Sequence, residues 1–331
     1  MAVMTVTVKF VARQFFKLIL LLAAVSVITF ILISNTPIDP TQAYIGADML
    51  RVSPEQRAAI SEYWGLNDPP VERFLAWGNA LVQGDFGTSM IHREPVLDVI
   101  ADRFKSSLVL MLAAWVLSGL IGFAAGVLAA MKQGTWIDRI IKWYCYGLSS
   151  TPTFWAGLLL LILFTVWIPV FPVGLGVPAG VEAAEVTWLD RVRHMILPAL
   201  TLSIVGISNI ALHTREKLVE VLDSEYVLFA KARGEAGFIL FRRHGLRNIL
   251  LPAVTLQFAS FSELFGGAVL VEQVFSYPGL GQATVEASTR GDVPLLMGIV
   301  LFSTLFVFTG NLLSELVYRW IDPRIREGQS L

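Results

Sequence analysis

The chain has 331 residues, 55% of them hydrophobic and 15% charged, with a formal net charge of −1. Soluble domains carry about 25% charged residues, so this composition suits lipid, and a near-neutral chain without a basic tail offers nothing to nucleic acid. The single cysteine, Cys145, excludes an internal disulfide; set among Trp143, Tyr144 and Tyr146, it reads as a small buried hydrophobe.

A transmembrane helix needs about 20 mostly apolar residues. Six stretches qualify, at about 15–34, 108–130, 143–168, 195–212, 250–271 and 295–318. The first follows Lys9, Arg13 and Lys17 and runs from Leu18 to Ile33, too long for a signal-peptide core, so it reads as an uncleaved anchor. The segment 35–107 is helical in its own right. Ser53-Pro54-Glu55-Gln56 forms an N-cap, a proline at the first helical position and a capping-box glutamine, and Gly65 stops that helix. A second helix is expected over Val71–Val82, with Phe74, Trp77 and Leu81 as its apolar stripe despite Gly78. The turn-prone run Gly84–Ser89 follows.

Pro152 falls inside the third span and is expected to kink or interrupt it, either for packing or to open a substrate path. Asn209 and Ser208 are polar within the fourth span. Glu263 lies inside the fifth, where a charge costs at least about 2.5–3.5 kcal/mol, with Ser260 and Ser262 before it and Gly266-Gly267 after it. It lines a translocation route or makes an interhelical hydrogen bond; Ser260 and Asn209 share that candidacy. The run VFSYPGLG at 274–281 reads as a re-entrant or surface turn.

Lys/Arg placement sets the orientation. Lys132, Arg139 and Lys142, seven basic residues from Arg215 to Arg247, and Arg319, Arg324 and Arg326 share one side with Lys9, Arg13 and Lys17. In segment 35–107, ten acidic residues outnumber six basic ones. The positive-inside rule then puts both termini in the cytoplasm of a six-span, all-α membrane protein. It divides into 1–34 (cytoplasmic N-terminus and first span), 35–107 (external helical segment), 108–318 (five-helix core with a cytoplasmic loop at 213–249) and 319–331 (cytoplasmic tail). No phosphate-binding loop and no His-Glu-x-x-His are present, and His92, His194, His213 and His244 are scattered, so neither an enzyme nor a metal site is expected.

The loop 213–249 stands out. Solvated charge accounts for its arginines and carboxylates but not for Tyr226, Val227, Phe229 and Ala230, then Phe238, Ile239 and Phe241, whose spacing leaves apolar side chains for a partner to cover. Gly234 separates two short helices. The run A-K-A-R-G at 230–234 with R-H-x-L-R-N-x-L-L-P at 243–252 resembles the ATPase-contacting loop of binding-protein-dependent ABC importer permeases of the dipeptide, oligopeptide and nickel branch, in the form of the first of two permeases. GDFGTS at 84–89, PTFWAGLLL at 152–160, LPALTL at 197–202, VFSYPGLG at 274–281 and NLL…DPRIR at 311–326 match in the same order along nearly the whole chain.

That resemblance implies a subunit of an importer in a bacterial or archaeal inner membrane. Its partners would be a sister permease, two ATP-binding subunits that hold ATP and Mg, and an external solute-binding protein, with no cofactor in this chain. Peptides, nickel or metal chelates would be its cargo. The coupling helix would lie near Gly234–Phe241, with Glu225, Ala230, Gly234, Phe238, Ile239, Arg243 and His244 at the mechanical joint. One departure stands out: Glu235-Ala236 occupy the place where family members often carry leucine-serine, so the usual serine cap is missing. Two other readings compete. A proton-coupled secondary transporter would use Glu263 and need no ATPase, and a non-transporting scaffold subunit would leave solute uptake intact when deleted.

Overall fold

The computed structural model describes residues 2–46, 52–178, 180–181 and 185–321; the DPRIR run of the tail lies outside them. In chain order the helices are α1 Ala2–Ser34, α2 Pro40–Ile45, α3 Pro54–Tyr63, α4 Pro70–Val82, α5 Val96–Met131, α6 Trp136–Ser149, α7 Thr153–Leu161, α8 Trp188–Leu222, α9 Glu225–Ala232, α10 Gly237–Leu240, α11 Leu246–Ala259, α12 Phe261–Val274, α13 Leu280–Arg290 and α14 Val293–Ile321. Wide π-type turns over Ile162–Trp167 and Phe241–Gly245 extend α7 and α10. Among the described residues, extended pairing is confined to a lone bridge between Thr88 and Pro95.

Helices α1, α5, α8 and α14 are each long and apolar enough to cross a membrane, and there are up to six crossings if two bent pairs each count as one. The first pair, α6 with α7, bends by 108° at the break that Pro152 was expected to cause. The second, residues 237–259 with α12, bends by 49°. Two helices outrun the spans expected of them. Helix α5 begins at Val96, so the last residues of the segment 35–107 are helix continuous with the second span, and α8 covers Trp188–Leu222 rather than 195–212. Hydropathy detects the apolar stretch, whereas a helix runs to its caps. For α8 the cap is a box in which Thr187 Oγ1 accepts from the Asp190 amide while Asp190 Oδ2 accepts from the Thr187 amide.

The chain forms two compact units. The first comprises Met1–Ser106 and Gly279–Thr309. Its α3 opens with the expected capping box, Ser53 Oγ accepting from the Gln56 amide at 3.2 Å and Gln56 Oε1 from the Ser53 amide at 3.0 Å, and Gly65 turns the chain at φ 61°. The stripe of α4 stacks Phe74 on Trp77 at 5.7 Å and on Phe30 of α1 at 5.1 Å. A polar joint missed by pattern reading holds this unit. The fully buried Asp292 accepts from Ser89 Oγ at 2.6 Å, from the Ile91 amide at 3.0 Å and from the Leu295 amide at 3.1 Å, so one carboxylate caps α14 and pins the GDFGTS turn.

The second unit comprises Ser107–Pro278 and Gly310–Leu331, with α8 packed against α6, α7, α11 and α12. Small residues bring α5 close against α8. A Cβ on Gly122 would meet the Ile207 carbonyl oxygen at 2.8 Å, one on Gly126 the Ala211 carbonyl oxygen at 2.5 Å, and one on Gly206 the Ser118 Cβ at 2.8 Å. Gly122 and Gly126 are four apart, the small-xxx-small spacing that lets helix backbones touch where water supplies no driving force. Because backbone atoms form the obstacle, Gly126→Ala is expected to destabilise the purified protein by about 1–3 kcal/mol, read as a lower unfolding midpoint in detergent. The same change at Gly147, whose Cβ would meet open space, should leave the midpoint close to that of the parent.

The bend at Ser260 keeps its backbone satisfied, as an interrupted helix in a membrane must. The Gln257 carbonyl accepts from Trp115 Nε1 at 2.7 Å and from Ser260 Oγ at 3.0 Å, and the Phe258 carbonyl accepts from Ser314 Oγ at 2.9 Å. Of the two readings of VFSYPGLG, re-entrant or surface turn, the surface one is corrected: Phe275 and Tyr277 are buried, and the Leu175 amide donates to the Phe275 carbonyl at 2.9 Å. Cys145 is buried as expected.

Candidate functional site

The charged insert grows out of the far end of α8. Lys231 Nζ donates to the Leu222 carbonyl at 2.9 Å, tying α9 to the open C-terminal carbonyls of α8. Val227, Ala230, Leu240 and Phe241 then close over Leu218, Leu222, Ile249 and Ala130 as one apolar cluster. The apolar residues singled out in the insert therefore separate into two groups. Val227, Ala230 and Phe241 are core, and Ala230, expected at the joint, supports it from beneath. Phe229 (73% exposed), Phe238 (71%), Ile239 (60%) and Tyr226 (50%) remain uncovered. Sequence spacing left all of them for a partner to cover, because two short helices with a turn between them do not share a single periodicity.

Gly234 has φ 89° and ends α9, as its sequence position required. Helix α10 then starts from Ala236 without a side-chain cap, in line with the missing serine. Glu235 carries the polar contacts instead. Its Oε1 lies 3.2 Å from Arg233 Nη2 and 3.3 Å from Arg243 Nη1, and its Oε2 lies 3.1 Å from His244 Nε2. Burial would raise its pKa, but the hydrogen bonds from Arg233 and His244 and the charges of Arg243 and His244 prevail and hold the carboxyl below the usual glutamate range. Beside this cluster a cleft of about 450 Å³ is lined by Glu225, Tyr226, Phe229, Ala230, Arg233 and His244. Of the expected joint residues, Glu225, Ala230 and His244 line this cleft, and Arg243 shares the Glu235 carboxylate with His244.

The expected path residues also converge. Asn209 of α8 and Ser260 and Glu263 at the bend line a second cavity of about 320 Å³ together with Gly206 and His213. Glu263 and Asn209 are exposed, and among the described residues neither side chain has a hydrogen-bond partner. A carboxylate and an amide facing an open cavity within apolar helices can receive a polar solute or polar groups from a neighbouring subunit.

These features correspond to known proteins. The family described as "binding-protein-dependent transport system inner membrane component" matches residues 122–327, and its N-terminal companion matches residues 7–111. The chain belongs to this family. The permease is 34% identical over 320 residues to the oligopeptide transport system permease protein AppB of Bacillus subtilis, covering 96% of this chain and 98% of that one. It is 34% identical over 333 residues to the di/tripeptide transport system permease protein DppB of Pseudomonas aeruginosa, and 35% over 327 residues to the glutathione transport system permease protein GsiC of Escherichia coli, each match covering 96% of this chain and 98% of the relative. It is therefore a multi-pass transmembrane permease subunit of an ABC importer, not an enzyme, and works with ATP-binding and substrate-binding partners.

Two polar joints of the permease escaped the sequence reading. Asp138 of α6, 1% exposed, takes a forked pair of bonds from Arg215 of α8 at 2.6 and 2.8 Å, a bond from the Gly134 amide at 3.0 Å, and lies 3.6 Å from Lys142. Glu272, fully buried, accepts from Ser107 Oγ at 2.6 Å. Both carboxylates sit at the ends of apolar runs, where a charge reads as ordinary boundary polarity. Their partners are 77 and 165 residues away, beyond the reach of any local pattern.

Proposed function

We propose that this permease pairs with a sister permease to pass peptides delivered by an external binding protein, driven by two ATP-binding subunits that hold ATP and Mg and bear on the insert 213–249 from the cytoplasm. Both termini are cytoplasmic on this reading. The observation that carries the cargo assignment is the agreement of relatives named for oligopeptides, di- and tripeptides and glutathione, all peptidic, across almost the full chain. Exposed Phe229, Phe238 and Ile239 beside the basic rim of Arg233 and Arg243 support the ATPase contact. ATP would act by favouring one arrangement of the insert over another, since a ligand shifts a conformational equilibrium only by its differential affinity for the two states.

The test is uptake of a labelled dipeptide and of radioactive nickel, with and without a chelator, in cells with and without the gene. Loss of peptide uptake alone supports the reading. Loss of nickel uptake alone replaces it with a metal importer. In this picture Glu263 and Asn209 line the path. Glu263→Gln should lower dipeptide uptake severalfold while binding-protein-stimulated ATP hydrolysis stays near the parent level. Uptake that persists after collapse of the proton gradient and stops on ATP depletion would separate this machine from a proton-coupled carrier.

A further inference from the structure

The link between α9 and α10 combines features that leave the insert poorly fastened by its backbone. Gly234 and Gly237 have φ of 89° and 59°, and a Cβ on either would meet nothing within 4 Å, so no packing fixes them. Ala236 sits between them in an extended conformation at the N-terminus of α10, and its side chain has no oxygen to satisfy the first amides of that helix. Contacts that bridge this joint include the Leu240–Phe241 core, the Tyr226–His244 ring contact at 6.2 Å, the 3.1 Å bond from Asn248 Nδ2 to Tyr226 Oη, and the carboxylate of Glu235. Glu235 gathers the Arg233 guanidinium from the end of α9 and the Arg243 guanidinium and His244 imidazole from the wide turn after α10. Its side chain is 12% exposed, while those of Arg233 and Arg243 are 67% and 66% exposed.

We propose that Glu235 is a positioning residue of the coupling insert: an electrostatic latch that replaces the missing helix cap and makes α9 and the segment Gly237–Gly245 move as one body. The proposal rests on reading 213–249 as the coupling element. A displacement of the exposed Phe238 or Ile239 reaches α8 through the Leu240–Phe241 contacts with the Leu218–Leu222 core, and it carries α9 along only if the two glycine joints do not absorb it. The latch prevents that absorption while leaving the joint free of a rigid cap.

The test compares the parent complex with Glu235→Gln, which keeps size and removes charge, and with Glu235→Gln/Ala236→Ser, which supplies a serine at an extended position suited to capping. The first readout is amide hydrogen exchange across residues 235–245 in the purified complex, which does not depend on cargo. Exchange there is expected to quicken about fivefold in Glu235→Gln, the scale of a modest coupling loss, and to return towards the parent in the double variant. The second readout is dipeptide taken up per ATP hydrolysed in proteoliposomes, expected to fall and recover in step, with the amount of assembled complex unchanged. Unaltered exchange in Glu235→Gln overturns the latch, as does a serine that restores neither readout. Failure of the coupling reading itself would appear differently: altered exchange with uptake per ATP unmoved would keep the latch and remove its role in transport.

Discussion

Phe238→Asp is expected to strip the ATP-binding subunits from the complex while leaving the permease folded. Phe238 is 71% exposed and Phe229 73% exposed, on either side of the Gly234–Gly237 joint, and Ile239 beside Phe238 is 60% exposed. Large apolar side chains held in water on a rigid base are the kind that dominate binding once covered, and removing one such anchor costs about 2–4 kcal/mol, a loss of roughly 30- to 1,000-fold in affinity. Aspartate adds the desolvation of a charge at the same place. The measurement is co-purification of the ATP-binding subunits with the tagged permease, alongside its unfolding midpoint. Retained subunits would remove the insert from the interface. A matched control is Phe241→Asp: Phe241 is 7% exposed within the cluster around Leu218 and Ile249, so that variant should lose the fold of the insert itself.

Asp138→Ala should produce the largest loss of stability among single changes in the second unit. The carboxylate is nearly inaccessible, and removing it strands the Arg215 guanidinium, 19% exposed, and the Lys142 ammonium, 30% exposed. Breaking a buried pair by deleting one partner costs about 3–5 kcal/mol. Partial exposure of both cations argues for the lower end of that range, about 3 kcal/mol. The expected result is a clearly lower unfolding midpoint in detergent and less permease in the membrane. Arg215→Lys should fall between parent and Asp138→Ala, because lysine keeps the charge but not the planar fork that meets both carboxylate oxygens. Equal effects of Asp138→Ala and Arg215→Lys would mean that the fork geometry, not the charge pairing, holds α6 to α8.

Some of this molecule was legible as text. The capping box at Ser53, the stop at Gly65, the break at Pro152 and the end of α9 at Gly234 are local events, each decided by the conformational range of one or two residues, and all stand where the sequence placed them. Of the candidate site residues, Glu225 and His244 line one cleft with Arg243 beside it on Glu235, and Asn209, Ser260 and Glu263 line one cavity. What failed was the sorting of inside from outside. Val227 and Phe229 are two residues apart and equally apolar, yet one is fully buried and the other 73% exposed. Glu235 was read as the loss of a cap, whereas two guanidinium groups and the His244 imidazole converge on it. The Gly122–Gly126 spacing was present in the sequence and passed over, since its meaning depends on finding α8 backbone opposite it.

The sequence by itself determined the class and the machine: an apolar, charge-poor chain with interrupted spans, a basic amphipathic insert and ordered family motifs has one home, an importer permease in a lipid bilayer. These properties are local or summed along the chain, so one dimension carries them. Only the tertiary structure decided which charges are joints and which are faces. Asp138, Glu272 and Asp292 are buried because partners distant in sequence satisfy them, while Glu263 faces a cavity within its unit and has no side-chain partner among the described residues. Whether a carboxylate is a rivet or a binding group depends on what lies within about 3 Å of it. That distance exists only after the helices have packed.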